Sequence, residues 1–307
     1  MSDDLCQPRF FGVLVTFRRP EQLASTLHAV TEQTRALHHL IVVDNAPTLE
    51  TRAIVGNVAP SAEYVAAPEN LGPAGGIALG MERLLEMADE DDWIITLDDD
   101  DPPADAGAFA ALYAFAREMS VQDRTAAAVG MGGVRFDRRR GRIVRVPDDE
   151  LRGAVRVDSI AGNQCPCYSA AAIRAVGPMR RDLFFGFEEL ELGLRLGDAG
   201  YSLYADGPAW LAGREAQGLL GRRFAPSRSL GEPTWRRYYS LRNLVCILRD
   251  LGVVGAALRV TILSGIAKPL GNVVREPRLA LRHLQLNARA CRDAWTGRMG
   301  RTVEPTA

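Results

Sequence analysis

The chain has 307 residues, 47% of them hydrophobic, and a formal net charge of −1. That length suits one α/β domain with an appendage, or two tightly joined halves, with ample apolar material for a core. A balance so near neutrality gives no general case for nucleic-acid binding. Lys268 is the single lysine among 37 basic residues. The arginine bias points to a GC-rich, bacterial genome, and it argues against a Schiff-base enzyme or a P-loop NTPase, both of which need a placed lysine. The five cysteines (Cys6, Cys165, Cys167, Cys246, Cys291) are scattered. Cys165-Pro166-Cys167 is too tight for a zinc knuckle, so reduced cysteines of a cytosolic protein are expected. The N-terminus lacks the basic and apolar regions of a signal peptide. The longest mainly apolar stretch, Leu251 to Ala267, has 17 residues and includes Arg259. It falls short of the roughly 20 apolar residues of a transmembrane helix.

Phe10 to Phe17 reads as a buried strand, and Pro20 opens a helix with Leu23, Leu27 and Val30 at helical spacing. Leu40 to Val43 is a second buried strand ending at Asp44-Asn45, and Ala62 to Ala66 a weaker third. The turn NLGPAGG (70–76) runs into a helix from Ile77 to Met87, and Trp93 to Leu97 is the fourth strand. Continuous apolar strands alternating with helices indicate an α/β, mainly parallel sheet covered on both faces. Further on, the pattern predicts a helix over Asp105–Met119, a strand over Ala126–Phe136 and a hairpin-like turn at Asp137–Gly141. A polar strand region over Ser159–Ser169 and a short helix over Ala170–Val176 follow. Then come a helix over Glu188–Ala199, a strand at Leu203–Ala205 and a Gly-, Arg- and Pro-rich loop over 212–233. The last 75 residues read as helices, with a stripe of Trp235, Tyr238, Leu241, Leu244, Val245 and Leu248.

The chemistry concentrates where strand four ends in Asp98-Asp99-Asp100-Asp101, stopped by Pro102-Pro103. Four adjacent acids repel one another and serve no packing purpose. Their hard oxygens suit Mg²⁺ or Mn²⁺ bridged to a substrate diphosphate, although an isolated acidic run is more often a solvated turn. Ligands of open parallel sheets bind beyond the carboxyl strand ends. Thr16, Asp44 and the pair Asp98/Asp100 all fall at such ends. The glycines Gly72, Gly75 and Gly76 allow either close approach to an anion at a helix N-terminus or close helix–sheet packing.

VTFRRP, IVVDNAP, NLGPAGG and LDDDDPP, in that order, resemble the motifs of a family 2 glycosyltransferase with the GT-A fold, over roughly residues 10–250. NLGPAGG with the acid-rich LDDDD resembles the galactofuranosyl- and rhamnosyl-transferring branches. The resemblance implies a GT-A domain over 1–232, with a nucleotide-sugar half (1–101) and an acceptor half (102–232), and a C-terminal helical extension over 233–307. It implies a UDP- or dTDP-sugar donor near Thr16, Arg18, Asp44, Asn70, Gly72, Gly75, Asp98 and Asp99. A divalent metal, Mn²⁺ or Mg²⁺, would sit at Asp98 and Asp100. FFGFEELELGLR (184–195) is similar to the stretch that supplies the general base, which maps onto Glu189, with Glu188 the alternative. An inverting transfer to a hydroxyl of a small-molecule, glycan or lipid-linked acceptor follows, in bacterial envelope or natural-product biosynthesis. Asn163, Trp210, Arg214 and Arg242 are expected at the acceptor or diphosphate.

The resemblance has one departure. The metal-ligating histidine of many members is absent from the stretch after the base, where Arg214-Glu215 stands instead. Its loss suits the rival reading, an inactive nucleotide-sugar or glycan binder, whereas the intact acids argue for an enzyme. A nucleotidyltransferase is disfavoured because its Gly-rich signature with Arg and Lys is missing. Residues 251–307 hold nine Lys/Arg against three Asp/Glu, a local charge of +6. That end is expected to pack on the core, to join a second copy, or to lie on the inner face of the plasma membrane, with the chain otherwise cytoplasmic.

Overall fold

The structure, a computed structural model, describes residues 8–222, 234–271 and 277–305. Arg223 and Arg228 of the loop expected over 212–233 lie outside the described residues, as does Cys6. Ten strands form: β1 (Phe10–Thr16), β2 (His39–Asp44), β3 (Glu63–Ala66), β4 (Trp93–Asp98), β5 (Ala126–Gly130), β6 (Arg135–Asp137), β7 (Arg142–Val144), β8 (Ala154–Val157), β9 (Cys167–Ser169) and β10 (Ser202–Asp206). Eight make one sheet in the order β3-β2-β1-β4-β9-β5-β10-β8, and β6 and β7 form a separate hairpin. β1 pairs in parallel with β2 and β4, and β2 with β3. β9 runs antiparallel between β4 and β5, and β8 antiparallel at the far edge. The reversal has a functional consequence. The segment leading into β9, a short 3₁₀ turn at Gly162–Gln164, sits at the edge where β1, β2 and β4 end.

Alternation along the central strands feeds two cores. Phe11, Val13, Val15, Ile41 and Val43 pack on one face with Ile77 and Met81. Phe10, Leu14 and Val42 pack on the other with Leu23, Leu27 and Phe109. Successive side chains of a strand point to opposite faces, so strands buried on both sides must be apolar throughout. This is why β1, β2 and β4 were so legible.

The expected strand over Ala126–Phe136 is two, β5 and β6, in different sheets, because Gly130, Gly132 and Gly133 break it. The helix after NLGPAGG begins at Gly72, not Ile77. A helix at Leu49–Val58 and strand β8 were not foreseen. The expected loop from residue 212 is helical to Ala216.

The C-terminal helices build a third core. Helix Thr234–Asp250 buries Tyr238, Tyr239, Val245 and Leu248, together with Ala290 and Ala294 of helix Pro277–Thr296, against Phe184, Leu190 and Leu194. Two tyrosine hydroxyls fasten it. Tyr238 donates to fully buried Asp293 at 2.6 Å, and Tyr239 accepts from the Val303 amide at 3.0 Å. No helix of the described residues is long and apolar enough to cross a membrane.

Asp293→Ala removes the buried carboxylate that accepts from Tyr238, whose hydroxyl keeps only Thr302 Oγ1 at 2.7 Å, and it unpairs Arg292. It is expected to cost about 2–3 kcal/mol in urea unfolding. A cost below about 0.5 kcal/mol would show that this contact does not fasten the helices.

Candidate active site

The site gathers at the carboxyl edge of β4. Asp98 ends the strand, and the 3₁₀ turn carries Gly162 past it. A Cβ built on Gly162 would lie 2.7 Å from Asp98 Oδ2 and 3.1 Å from Glu189 Oε1. The two carboxylates therefore converge on a spot that no side chain larger than hydrogen can fill. The Gly162 amide donates to Glu189 Oε1 at 3.1 Å and fixes that carboxylate. Burial, then the charges of Glu189, Asp100, Asp99 and Asp101, push the Asp98 carboxyl up to about 7. Burial raises Glu189 as well. Glu188 is buried beside it and pushed well up by burial and by Glu189, and its Oε2 has no hydrogen-bond partner among the described residues.

The other acids of the run have different neighbours. Asp99 points into the fold, accepting from Thr16 Oγ1 at 2.7 Å and the Phe17 amide at 3.2 Å. Its backbone carbonyl accepts from Thr26 Oγ1 at 2.8 Å. Thr16 and Asp99 thus bolt the end of β1 to the end of β4, and both are buried. Asp100 is exposed and ion-paired with Arg19, which also reaches Asp99 at 3.3 Å. Arg18 is exposed with a strained φ of 55°, its guanidinium 5.1 Å from the Phe17 ring centroid. Asp44 is fully buried and accepts from Tyr64 Oη and the Ala46 amide, each at 2.9 Å.

The NLGPAGG stretch serves packing. Asn70 Oδ1 accepts from the Gly72 amide at 2.9 Å, and Asn45 clamps the turn from the Leu71 amide (3.1 Å) and the Gly72 carbonyl (3.0 Å). Gly72 has a φ of 69°, and a Cβ there would collide with the Phe184 carbonyl. A Cβ on Gly75 would meet Leu71 Cβ at 2.7 Å, and one on Gly76 would meet Val15 at 2.8 Å. Helix–sheet and helix–loop contact thus accounts for the glycines expected at the donor.

On the acceptor side, Asn163 is exposed in the 3₁₀ turn. The Trp210 ring would lie 3.0 Å from a Cβ on Gly132, beside that turn. Arg214 is buried and stacks over Trp210 at 4.4 Å. It donates to the Val146 carbonyl at 2.8 Å and to Asp148 at 2.5 Å, so it fastens a loop. Glu215 is exposed on the same helix.

Arg242 has a different task from the one expected. It is fully buried and donates to the carbonyls of Leu183 (2.8 Å), Asp182 (3.3 Å) and Gly300 (2.6 Å). Its guanidinium lies 4.8 Å from the Tyr239 ring centroid. Its neighbour Asn243 shares that task. Asn243 Nδ2 donates to the carbonyls of Leu183 (2.9 Å), Phe185 (2.9 Å) and Gly186 (2.8 Å). The segment so gripped is strained. Phe184 has φ 63° and ψ −59°, and the Phe185 amide donates to the Leu183 carbonyl at 2.7 Å, a positive-φ γ-turn. Phe187 follows at φ 69°. Such backbone persists only where its surroundings over-determine it. Here the surroundings are Arg242 and Asn243, and what the strained segment presents is Glu188-Glu189.

Among the described residues, no three His, Cys, Asp or Glu groups cluster closely enough to hold a metal ion by themselves. A site in which one or two carboxylates share a hard cation with substrate phosphates needs fewer protein ligands than that.

Residues 13–170 match the sequence model of glycosyl transferase family 2. The galactofuranosyltransferase GlfT1 of Mycobacterium tuberculosis is 34% identical over 195 residues, 61% of this chain and 64% of that protein. GlfT1 of Mycolicibacterium smegmatis is 34% identical over 197 residues, 60% of this chain and 64% of its own. The matches thus span less than two thirds of these relatives' length. The mannosyltransferase PcManGT of Pyrobaculum calidifontis, solved with GDP-Man and Mn²⁺, is structurally similar with a TM-score of 0.53 at 14% identity. That similarity covers 95% of this chain and 87% of PcManGT. It shows the shared GT-A fold: a mostly parallel sheet between helices, here with C-terminal helices added.

Asp98 titrates near 7 in the fold against an ordinary 3.8, so its charge costs stability above pH 7, and the cost fades as pH falls from about 7 to 4. Asp98→Asn without divalent metal is expected to raise Tm at pH 8 by roughly 2–6 °C, and by less at pH 5. A lower Tm at pH 8 would contradict this electrostatic account.

Proposed function

The chain belongs to glycosyl transferase family 2, and from that premise we propose that it moves a sugar from a nucleotide-diphosphate donor to an acceptor hydroxyl, with inversion. The convergence of Asp98 and Glu189 on Gly162 carries this reading, because inversion needs a base opposite a neutralised leaving group. Galactofuranose is the first sugar to test, since the relatives are galactofuranosyltransferases, and the donor is a UDP- or dTDP-sugar. The acceptor is a glycan, glycolipid or small molecule of a bacterial envelope or natural-product pathway.

Glu189 is the proposed base. Its Oε1 is held by the Gly162 amide, and its burial-raised pKa suits proton uptake from a hydroxyl. Glu188, more deeply buried, is pushed well up by burial and by Glu189, which disfavours a second charge on the pair. Asp98 and Asp100 would hold a divalent ion, Mn²⁺ or Mg²⁺. When bound, that ion neutralises charge developing on the departing diphosphate. Trp210 and Asn163 flank the space left for the acceptor. The arrangement also bears on the inactive-binder reading: two carboxylates pressed together in a half-buried cleft cost stability, and binding alone does not require the base, Glu189.

Transfer from UDP-galactofuranose in the presence of Mn²⁺ is expected to give a product of opposite anomeric configuration by NMR. Glu189→Gln should lower kcat by about 10²–10⁴ while sparing donor affinity. Glu188→Gln, which keeps a neutral buried side chain, should lower it by less than tenfold. Retention of configuration, or wild-type turnover in Glu189→Gln, would remove the base from Glu189.

A further inference from the structure

The described helices from Val254 to Gly271 run without a break, with a π-helical stretch at Thr261–Ala267 between two α-helical ends. One side, through Ala256, Ala257, Val260 and Gly265, is buried on the molecule. The opposite side is apolar too. Val254, Leu258, Ile262, Ile266 and Leu270 recur at every fourth position, and Leu263 joins them, each 42% to 55% exposed. Every fourth residue of an α-helix drifts about 40° around the axis. A π turn holds more than four residues and drifts the other way, so the central stretch keeps the row on one side. A helix apolar on both sides belongs in a core or against a second apolar phase.

Charge says which phase. Residues 251–275 contain no Asp or Glu, and Arg259 and Lys268 are exposed beside the row. Two copies facing each other through this row about a two-fold axis would bring like charges together. An anionic surface would not. The row also borders a cavity of about 340 Å³, lined by Leu263, Arg259 and Lys268 on one side and by Phe187 and Arg142 on the other. Phe187 immediately precedes the Glu188-Glu189 pair.

We propose that the Val254–Leu270 row lies in the headgroup–acyl boundary of an anionic bilayer, with Arg259 and Lys268 on the lipid phosphates. The docking surface does not rest on the sugar-transfer reading, because its readout is partition.

The full chain should be sedimented with vesicles of phosphatidylcholine alone and with vesicles containing equal phosphatidylglycerol. Wild type is expected to pellet with the anionic vesicles at least tenfold more than with the neutral ones. The Ile262→Asp/Ile266→Asp variant should lose that binding at least tenfold, and Arg259→Glu/Lys268→Glu should lose most of it. These positions are exposed, so each variant should keep its Tm within a few degrees, which separates lost docking from lost folding. Equal pelleting with both vesicle types, or variants that bind like wild type, would overturn the proposal. So would a concentration-dependent dimer in sedimentation velocity that Ile262→Asp/Ile266→Asp dissolves while vesicle binding is absent.

Discussion

The grip of Arg242 and Asn243 on residues 182–187 is the interaction on which the rest of the site depends. Five hydrogen bonds from two buried side chains, three from Asn243 and two from Arg242, hold a backbone that would otherwise relax. The held segment does two jobs. Its Phe184 carbonyl packs against Gly72 at the start of helix Gly72–Leu85, and its end launches the helix that carries Glu188 and Glu189. The C-terminal helices are therefore part of the machinery that shapes the cleft. Their own attachment, through Tyr238–Asp293 and Tyr239–Val303, transmits rigidity to the acidic pair.

Rigidity is needed because the site is electrostatically unfavourable. Asp98 is raised by burial and by four neighbouring acids, and Glu188 and Glu189 are raised together. Carboxylates left mobile would swing into water and separate. The Thr16–Asp99 bond and the Arg19 ion pairs pin one side of the group, and the Gly162 amide pins the other. Charge is concentrated in this way where a cation and a departing anion are to be met.

Much of this was legible in the sequence, for definable reasons. Strands buried on both faces must be continuous apolar runs, so β1, β2 and β4 announced themselves, and the acids after β4 marked the ligand edge. Helix Leu49–Val58 did not, because its apolar pattern is weak and Leu49 is 89% exposed. The glycines of NLGPAGG read equally well as an anion cradle or as packing; the packing role of Gly72 is visible only from the position of Phe184, more than a hundred residues away. Gly162 gave no signal, since its meaning lies in the reversal of β9. Arg242 is expected at the acceptor or diphosphate from the family resemblance. Its burial and its carbonyl partners, which no local pattern reveals, assign it to the fold.

The most direct test of this account is a double-mutant cycle on single-turnover transfer. Asn243→Ala alone should slow transfer by displacing Glu189, with donor affinity unchanged. If Asn243 acts through Glu189, adding Asn243→Ala to Glu189→Gln should slow it no further. A double variant slower than Glu189→Gln by the full factor seen for Asn243→Ala alone would contradict the account and separate the strained segment from the base.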